Sequence, residues 1–215
     1  GVAVSPDGGH HASYTIDIPK KSPELLSLIP ELVYKVNPQK LMKLPPTGDA
    51  DLPEEYKRTL DPFVALAAAA AVTARIKLGT GVCLVAQRDP IVTAKAVATL
   101  DRIANGRFVF GIGFGWNREE MESHGVDFRT RRARAREHVL AMQRLWSNER
   151  AGFDGEFVRF EDSWSWPKPM QQPRPPIFIG GAAGPKLFAH IAEYADGWIP
   201  IGGAGVREAM PDLRR

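Results

Sequence analysis

The stretch "IKLGTGVCLVAQRDPIVTAKAVATLDRIANGRFVFGIGFGWNREE", residues 76–120, decides the fold. It contains two short runs, 76–85 and 107–113, that are apolar throughout rather than alternating. Continuous apolar runs of this length mark strands buried on both faces, as in parallel sheets. Between them Asp89 and Pro90 open a helix, the aspartate as cap and the proline in the first turn. Asn105 and Gly106 close it, because both residue types tolerate the left-handed conformation that ends helices. Strand, helix and strand follow one another within a span suited to a parallel crossover.

The pattern continues outward on both sides. Upstream, "DPFVALAAAAAVTAR" (61–75) repeats the Asp–Pro opening and runs on in good helix formers. Downstream, "NREEMESHG" (117–125) and "RTRRARAREHVLAMQRLW" (129–146) read as helices. Ala135, Val139, Met142 and Trp146 share one face of the second, with arginines on the others. "PPIFIGG" (175–181) is a strand, "PKLFAHIAEYA" (185–195) a helix and "DGWIPIGG" (196–203) a last strand. The order α-β-α-β-α-β-α-β predicts a parallel α/β architecture with helices covering the sheet. Residues 151–176 depart from it, with a hairpin at Asp154–Gly155 and then a proline-rich run. Residues 1–50 form a proline-rich, irregular lead-in, which leaves 51–215 as the structured unit.

Composition narrows the class. The chain has 215 residues, 44% hydrophobic and 25% charged, enough for a substantial core in one domain. Its formal net charge of +3 is too small to argue for nucleic acid. One cysteine, Cys83, cannot form an internal disulfide, which places the protein in a reducing cytoplasm. No apolar run reaches the roughly 18 residues of a membrane span. His10 and His11 are adjacent and point apart in an extended chain, so no metal site is expected. His124, His138 and His190 fall on helices, with surface or packing roles.

Glycine marks three predicted strand ends: 79–81, 111–116 and 179–184. Ligands in parallel α/β folds bind at the carboxyl ends of strands. Three such ends on one rim predict a bed for a large flat ligand. The helix start near Pro185 adds free amides suited to a phosphate. The spacing is not the dinucleotide fingerprint G-x-G-x-x-G, and no phosphate-binding G-x-x-x-x-G-K-[ST] loop occurs. The run "RTRRARAR" (129–136) reads as a solvated helix face or as an attractor for an anionic ligand tail. Trp164 and Trp166 either cover a pocket or pack the excursion.

The segments "RIKLGTGVCLVAQRDPIVTAKAVATLDRIANGRFVFGIGFGWNREEMESHGV", "FVRFEDSWSWPKPMQQPRPPIFIGG" and "YADGWIP" resemble the luciferase-like monooxygenase family. The likeness is greatest to its branch that uses the deazaflavin coenzyme F420. It covers roughly Leu52 to Pro200. The resemblance implies a (β/α)8 barrel of TIM type, incomplete here, with the cofactor over the carboxyl ends of the strands. It implies a bulge with a non-proline cis peptide at Gly81–Val82 or Val82–Cys83, beneath the ring. Cofactor contacts are implied at Gly81, Val82 and Cys83, and at Gly113, Phe114, Gly115, Trp116 and Asn117. Phosphate contacts are implied at Gly180, Gly181, Ala182, Ala183 and Gly184. A sugar-phosphate-oxidising branch carries an acid where Trp116 stands, which argues against that substrate.

The activity so implied is hydride transfer between F420 and a small organic molecule. The alternatives are an FMN-dependent monooxygenase and a non-catalytic barrel fragment. The family's first two strands, which carry proton-handling residues, are not evident in residues 1–50, so no catalytic residue is assigned. The incomplete barrel reads as a truncated member and leaves room for a homodimer. Neither nucleic acid nor membrane is expected as a partner.

Overall fold

A computed structural model describes residues 60–201, together with the helical positions 206, 208 and 209. The expected lead-in over 1–50 lies outside the described residues. The first element, α1 (Pro62–Val72), is capped by Asp61, whose carboxylate accepts from the amides of Phe63 and Val64 at 2.9 and 3.1 Å. Helix α2 (Pro90–Ile103) starts in the same way, with Asp89 accepting from Val92 at 2.8 Å. It stops where Asn105 and Gly106 turn to φ 50 and 73. The two Asp–Pro pairs therefore start helices for the reason read from the sequence.

Strands β1 (Leu78–Gly79), β2 (Cys83–Leu84) and β3 (Phe108–Gly113) come next around α2. Helices α3 (Arg118–Ser123) and α4 (Arg131–Ser147) follow, then a hairpin of β4 (Arg150–Asp154) and β5 (Arg159–Trp164). Strand β6 (Ile177–Gly181), helix α5 (Pro185–Tyr194) and strand β7 (Gly197–Pro200) complete the described chain. All pairings in the main sheet are parallel, in the order β1/β2–β3–β6–β7. The sheet is the curled half of a (β/α) barrel, with helices on its outer face.

Alternation along β3 sends Phe108, Phe110 and Ile112 outward beneath the helices, where they are almost fully buried. Phe110 meets Trp146 of α4 edge-on, with ring centroids 6.2 Å apart, and the Trp146 indole N–H donates to Ala94 O at 3.0 Å. Ala135, Val139 and Met142 are fully buried on the same face of α4, as their spacing predicts. The proline-rich run is fastened to α2 by Asp101. Its buried carboxylate accepts from the backbone and side-chain amides of Gln171 at 2.8 and 2.7 Å. No helix among the described residues is long and apolar enough to cross a membrane.

One expectation changes. The apolar run 76–85 is not one strand but two short pieces separated by Thr80–Val82. The reason is the register in which they pair with β3. Trp164 and Trp166, read as covering a pocket or packing the excursion, are 70% and 53% exposed and line no cavity found among the described residues. Trp164 pairs with Arg150, just past the carboxyl end of α4 and away from the rim.

Candidate functional site

The site begins with the break between β1 and β2. Leu78 and Gly79 pair with Phe108 and Val109, whereas Cys83 and Leu84 pair with Ile112 and Gly113. Thr80, Gly81 and Val82 thus stand opposite only Phe110 and Gly111, and the extra residue makes a bulge. The Gly81–Val82 peptide bond is cis. The Thr80 hydroxyl donates to Gly111 O at 2.6 Å, both groups buried, and so pins the bulge to β3.

This geometry explains the glycines. A Cβ on Gly111 would lie 1.9 Å from Thr80 O, so the bulged backbone occupies the space of its side chain. A Cβ on Gly113 would meet Val82 Cγ2 at 2.5 Å, and one on Gly180 would meet Val82 Cγ1 at 2.7 Å. Both glycines lie on the sheet face away from the helices. Between β3 and β6 they form a slot that receives the Val82 isopropyl group. The bare-backbone bed expected from the sequence is therefore surfaced by a side chain: half-buried Val82 fills it. Cys83 faces the core and is 2% exposed, and burial pushes its thiol up to about 12.

Beyond β3, Gly115 turns at φ 80 over the buried Met121 and leaves Trp116 52% exposed at the rim. Asn117 caps α3, its side-chain oxygen accepting from Glu120 N at 3.2 Å. Phe114 is buried, with its ring between two cationic or titratable groups. The Arg132 guanidinium lies 4.5 Å from its centroid, and the His190 ring of α5 is 5.1 Å away. His190 in turn meets Tyr194 edge-on at 5.6 Å. Burial, then the neighbouring Arg132, lowers the His190 pKa, while burial raises that of Tyr194. Arg132 Nη1 and Tyr194 Oη are buried and meet no hydrogen-bond partner among the described residues.

The arginine run divides into two groups. Arg129 binds Asp127 at 2.8 Å, and the Arg136 Nε donates to both oxygens of Glu193, at 2.8 and 2.9 Å. Arg131, Arg132 and Arg134 instead lie against Phe128, Phe114 and Phe157, at 3.7, 4.5 and 5.0 Å from the ring centroids. The sequence pattern suggested a solvated face or an anion attractor; the structure divides the run between salt bridges and aromatic plates. The Arg132–Phe114–His190–Tyr194 stack was missed. Its only local signal was the i, i+4 spacing of His190 and Tyr194. His10 and His11 lie outside the described residues. Among the described residues no group of His, Cys, Asp and Glu is placed to hold a metal.

Gly181, Ala182, Ala183 and Gly184 lead into α5. A Cβ on Gly184 would meet nothing within 4 Å among the described residues, which leave the space before the helix open. Among the described residues the rim thus offers an apolar post at Val82, an open helix start and an Arg132 guanidinium whose Nη1 has no partner. A curled parallel sheet with its polar features gathered at the carboxyl ends is a barrel-type enzyme scaffold. The chain belongs to the luciferase-like monooxygenase family, whose sequence profile matches residues 48–215.

An uncharacterized protein of Mycobacterium tuberculosis (strain H37Rv) is 53% identical over 156 residues, which are 72% of this chain and 55% of that protein. An F420-dependent glucose-6-phosphate dehydrogenase of Kineococcus radiotolerans is 40% identical, covering 67% of this chain and 44% of that enzyme. An FMNH(2)-dependent dimethylsulfone monooxygenase of Pseudomonas putida is 30% identical over 59% of this chain and 36% of that enzyme. The crystal structure of monooxygenase RslO1 from Streptomyces bottropensis superposes with a TM-score of 0.65 at 33% identity. That match covers 71% of this chain and 46% of RslO1. An F420-dependent secondary alcohol dehydrogenase superposes with a TM-score of 0.64 at 22% identity, over 73% of this chain and 49% of that chain, and shares the fold. The chain spans about half the length of the curated relatives it matches. The family includes F420-dependent and FMN-dependent members.

Proposed function

We propose that this protein is an oxidoreductase that holds F420 across the rim and moves a hydride between it and a small organic substrate. The observation that carries this reading is the Val82 post set between Gly113 and Gly180, on a rim where Arg132 Nη1 has no partner among the described residues. The donor set fits the cofactor. A flat ring system needs an apolar backing without projecting bulk, and a phosphate needs cations or free amides. Bound there, F420 supplies the hydride chemistry at its own ring.

Each part of the chain has a separate task. Val82, fixed by the Thr80–Gly111 hydrogen bond, limits how deeply a ring descends toward the sheet. The segment Gly180–Gly184 offers backbone amides and open space to a phosphate. Arg132, held over the Phe114 ring, adds charge without having to be ordered on binding. Trp116 presents an exposed apolar ring at the same rim and favours an uncharged organic substrate over a sugar phosphate. Its indole would help to keep water from the reacting face.

Fluorescence titration with F420 and, separately, with FMN tests this reading. Saturable F420 binding is expected, weakened about tenfold in Arg132→Gln by the loss of one charge-assisted contact. Binding of FMN alone would move the assignment to an FMN-dependent monooxygenase. A folded sample that binds neither would be a non-catalytic barrel fragment.

A further inference from the structure

A second group of cations stands beside Arg132. The guanidinium carbons of Arg118 and Arg131 lie 4.9 and 3.7 Å from the centroid of one ring, Phe128. Arg118 opens α3 and Arg131 opens α4, so the loop after β3 brings them together directly beyond Gly113–Asn117. We propose that Arg118 and Arg131, gathered on Phe128, form an anion subsite for the glutamate carboxylates at the end of the F420 tail. This inference rests on the reading that F420 is the cofactor.

Among the described residues, the carboxylates nearby balance these charges only in part. Glu122 reaches Arg118 only at 3.9 Å, on an exposed helix face. Asp127 is bound chiefly by Arg129, which together with the more distant Arg118 holds its carboxyl at about 2. Arg131 donates to Phe128 O at 2.7 Å, yet its Nε is buried without a partner among the described residues. Burial and the nearby Arg132 and Arg118 all press against its charge. A cavity of about 460 Å³ adjoins the group, lined by Arg118, Glu122, Gly125, Val126, Asp127 and Arg129. Like charges held together on an apolar ring gain most from an incoming multivalent anion.

The chemistry also selects between the two family cofactors. FMN ends at its phosphate, which the α5 start and Arg132 can satisfy. The F420 tail continues past its phosphate with several carboxylates, which Arg118 and Arg131 can receive while Arg132 serves the phosphate. The subsite therefore acts in cofactor choice and not in the hydride step.

The experiment compares affinities for F420 bearing several glutamates, for the form that has none, and for FMN. The proteins are the wild-type chain, Arg118→Gln and Arg131→Gln, with circular dichroism as a check on folding. Arg118 is more than half exposed, so its variant is expected to keep the fold. The wild-type chain is expected to bind the glutamate-bearing form about tenfold more tightly than the form without glutamates. Each variant should shrink that ratio toward one and leave affinity for the form without glutamates unchanged. High salt should shrink it as well. Equal affinity of the wild-type chain for the two forms overturns the subsite and leaves the cofactor assignment standing. A ratio that survives in both variants also overturns it. Binding of FMN and neither F420 form would overturn the cofactor assignment itself.

Discussion

At the scale of single residues, the glycines at the rim do different things, and substitutions should separate them. Gly111 is closed: a methyl group there would meet Thr80 O at 1.9 Å, and the bulge would have to move. Gly111→Ala is expected to destabilise the chain by about 3 kcal/mol, at the upper end for overpacking, read as a lower urea midpoint. Gly184 is open, and its φ of 164 is extended backbone. Gly184→Ala should leave stability within about 0.5 kcal/mol, and on the proposed reading it should weaken cofactor binding by crowding the phosphate. An unchanged midpoint for Gly111→Ala would mean that the bulge is not packed as described. The sequence showed that glycine was required at these positions but not why. The group that fills Gly113 and Gly180 is Val82, about 30 and 100 residues away along the chain. Composition and spacing carry no trace of such a contact.

At the scale of elements, α4 links the outer core to the bulged strand. Its buried face includes His138, 4% exposed, whose Nδ1 lies 2.9 Å from Val85 O in the turn after β2. Donation from Nδ1–H to that carbonyl fixes the neutral tautomer and ties the turn to the helix. Burial, reinforced by Arg134, lowers the His138 pKa below 6.5, although the Val85 and Arg88 backbone and Asp89 act in the other direction. The sign follows from linkage. Below pH 6.5 the unfolded chain takes up a proton that the folded chain resists, so stability falls with pH until the folded pKa is reached. His138→Gln, which can still donate to Val85 O, should flatten this part of the stability profile in urea titrations between pH 7.5 and 5 (set by the shift below 6.5). An equally steep decline in the variant would assign it to other groups. The sequence placed His138 on a helix and left open whether it packs. Its register resolves the point in retrospect, since it lies three residues after Ala135 and four before Met142, on the same buried face.

At the scale of the whole described unit, the alternation of helix and strand was legible because the main strands are apolar and the Asp61–Pro62 and Asp89–Pro90 pairs announce the first two helices. Register was not legible: nothing local tells 78–79 and 83–84 to pair one residue out of step with each other along β3. That hidden offset builds the candidate site, and the site therefore depends on several elements at once. Val82 comes from the bulge, its slot from β3 and β6, the open amides from α5 and the cation from α4. A ligand that spans them must bind the folded chain and not the unfolded one, and it should stabilise all of them together. At a concentration 100 times its Kd, F420 is expected to add about 2.7 kcal/mol. For a chain of this size that corresponds to a rise in Tm of roughly 5–10 °C. The shift should grow with the logarithm of F420 concentration and be smaller in Arg132→Gln at equal concentration. A Tm that responds to FMN and not to F420 would place the chain among the FMN-dependent members. A Tm that responds to neither would show that the bulge, the open helix start and the arginine do not act as one site.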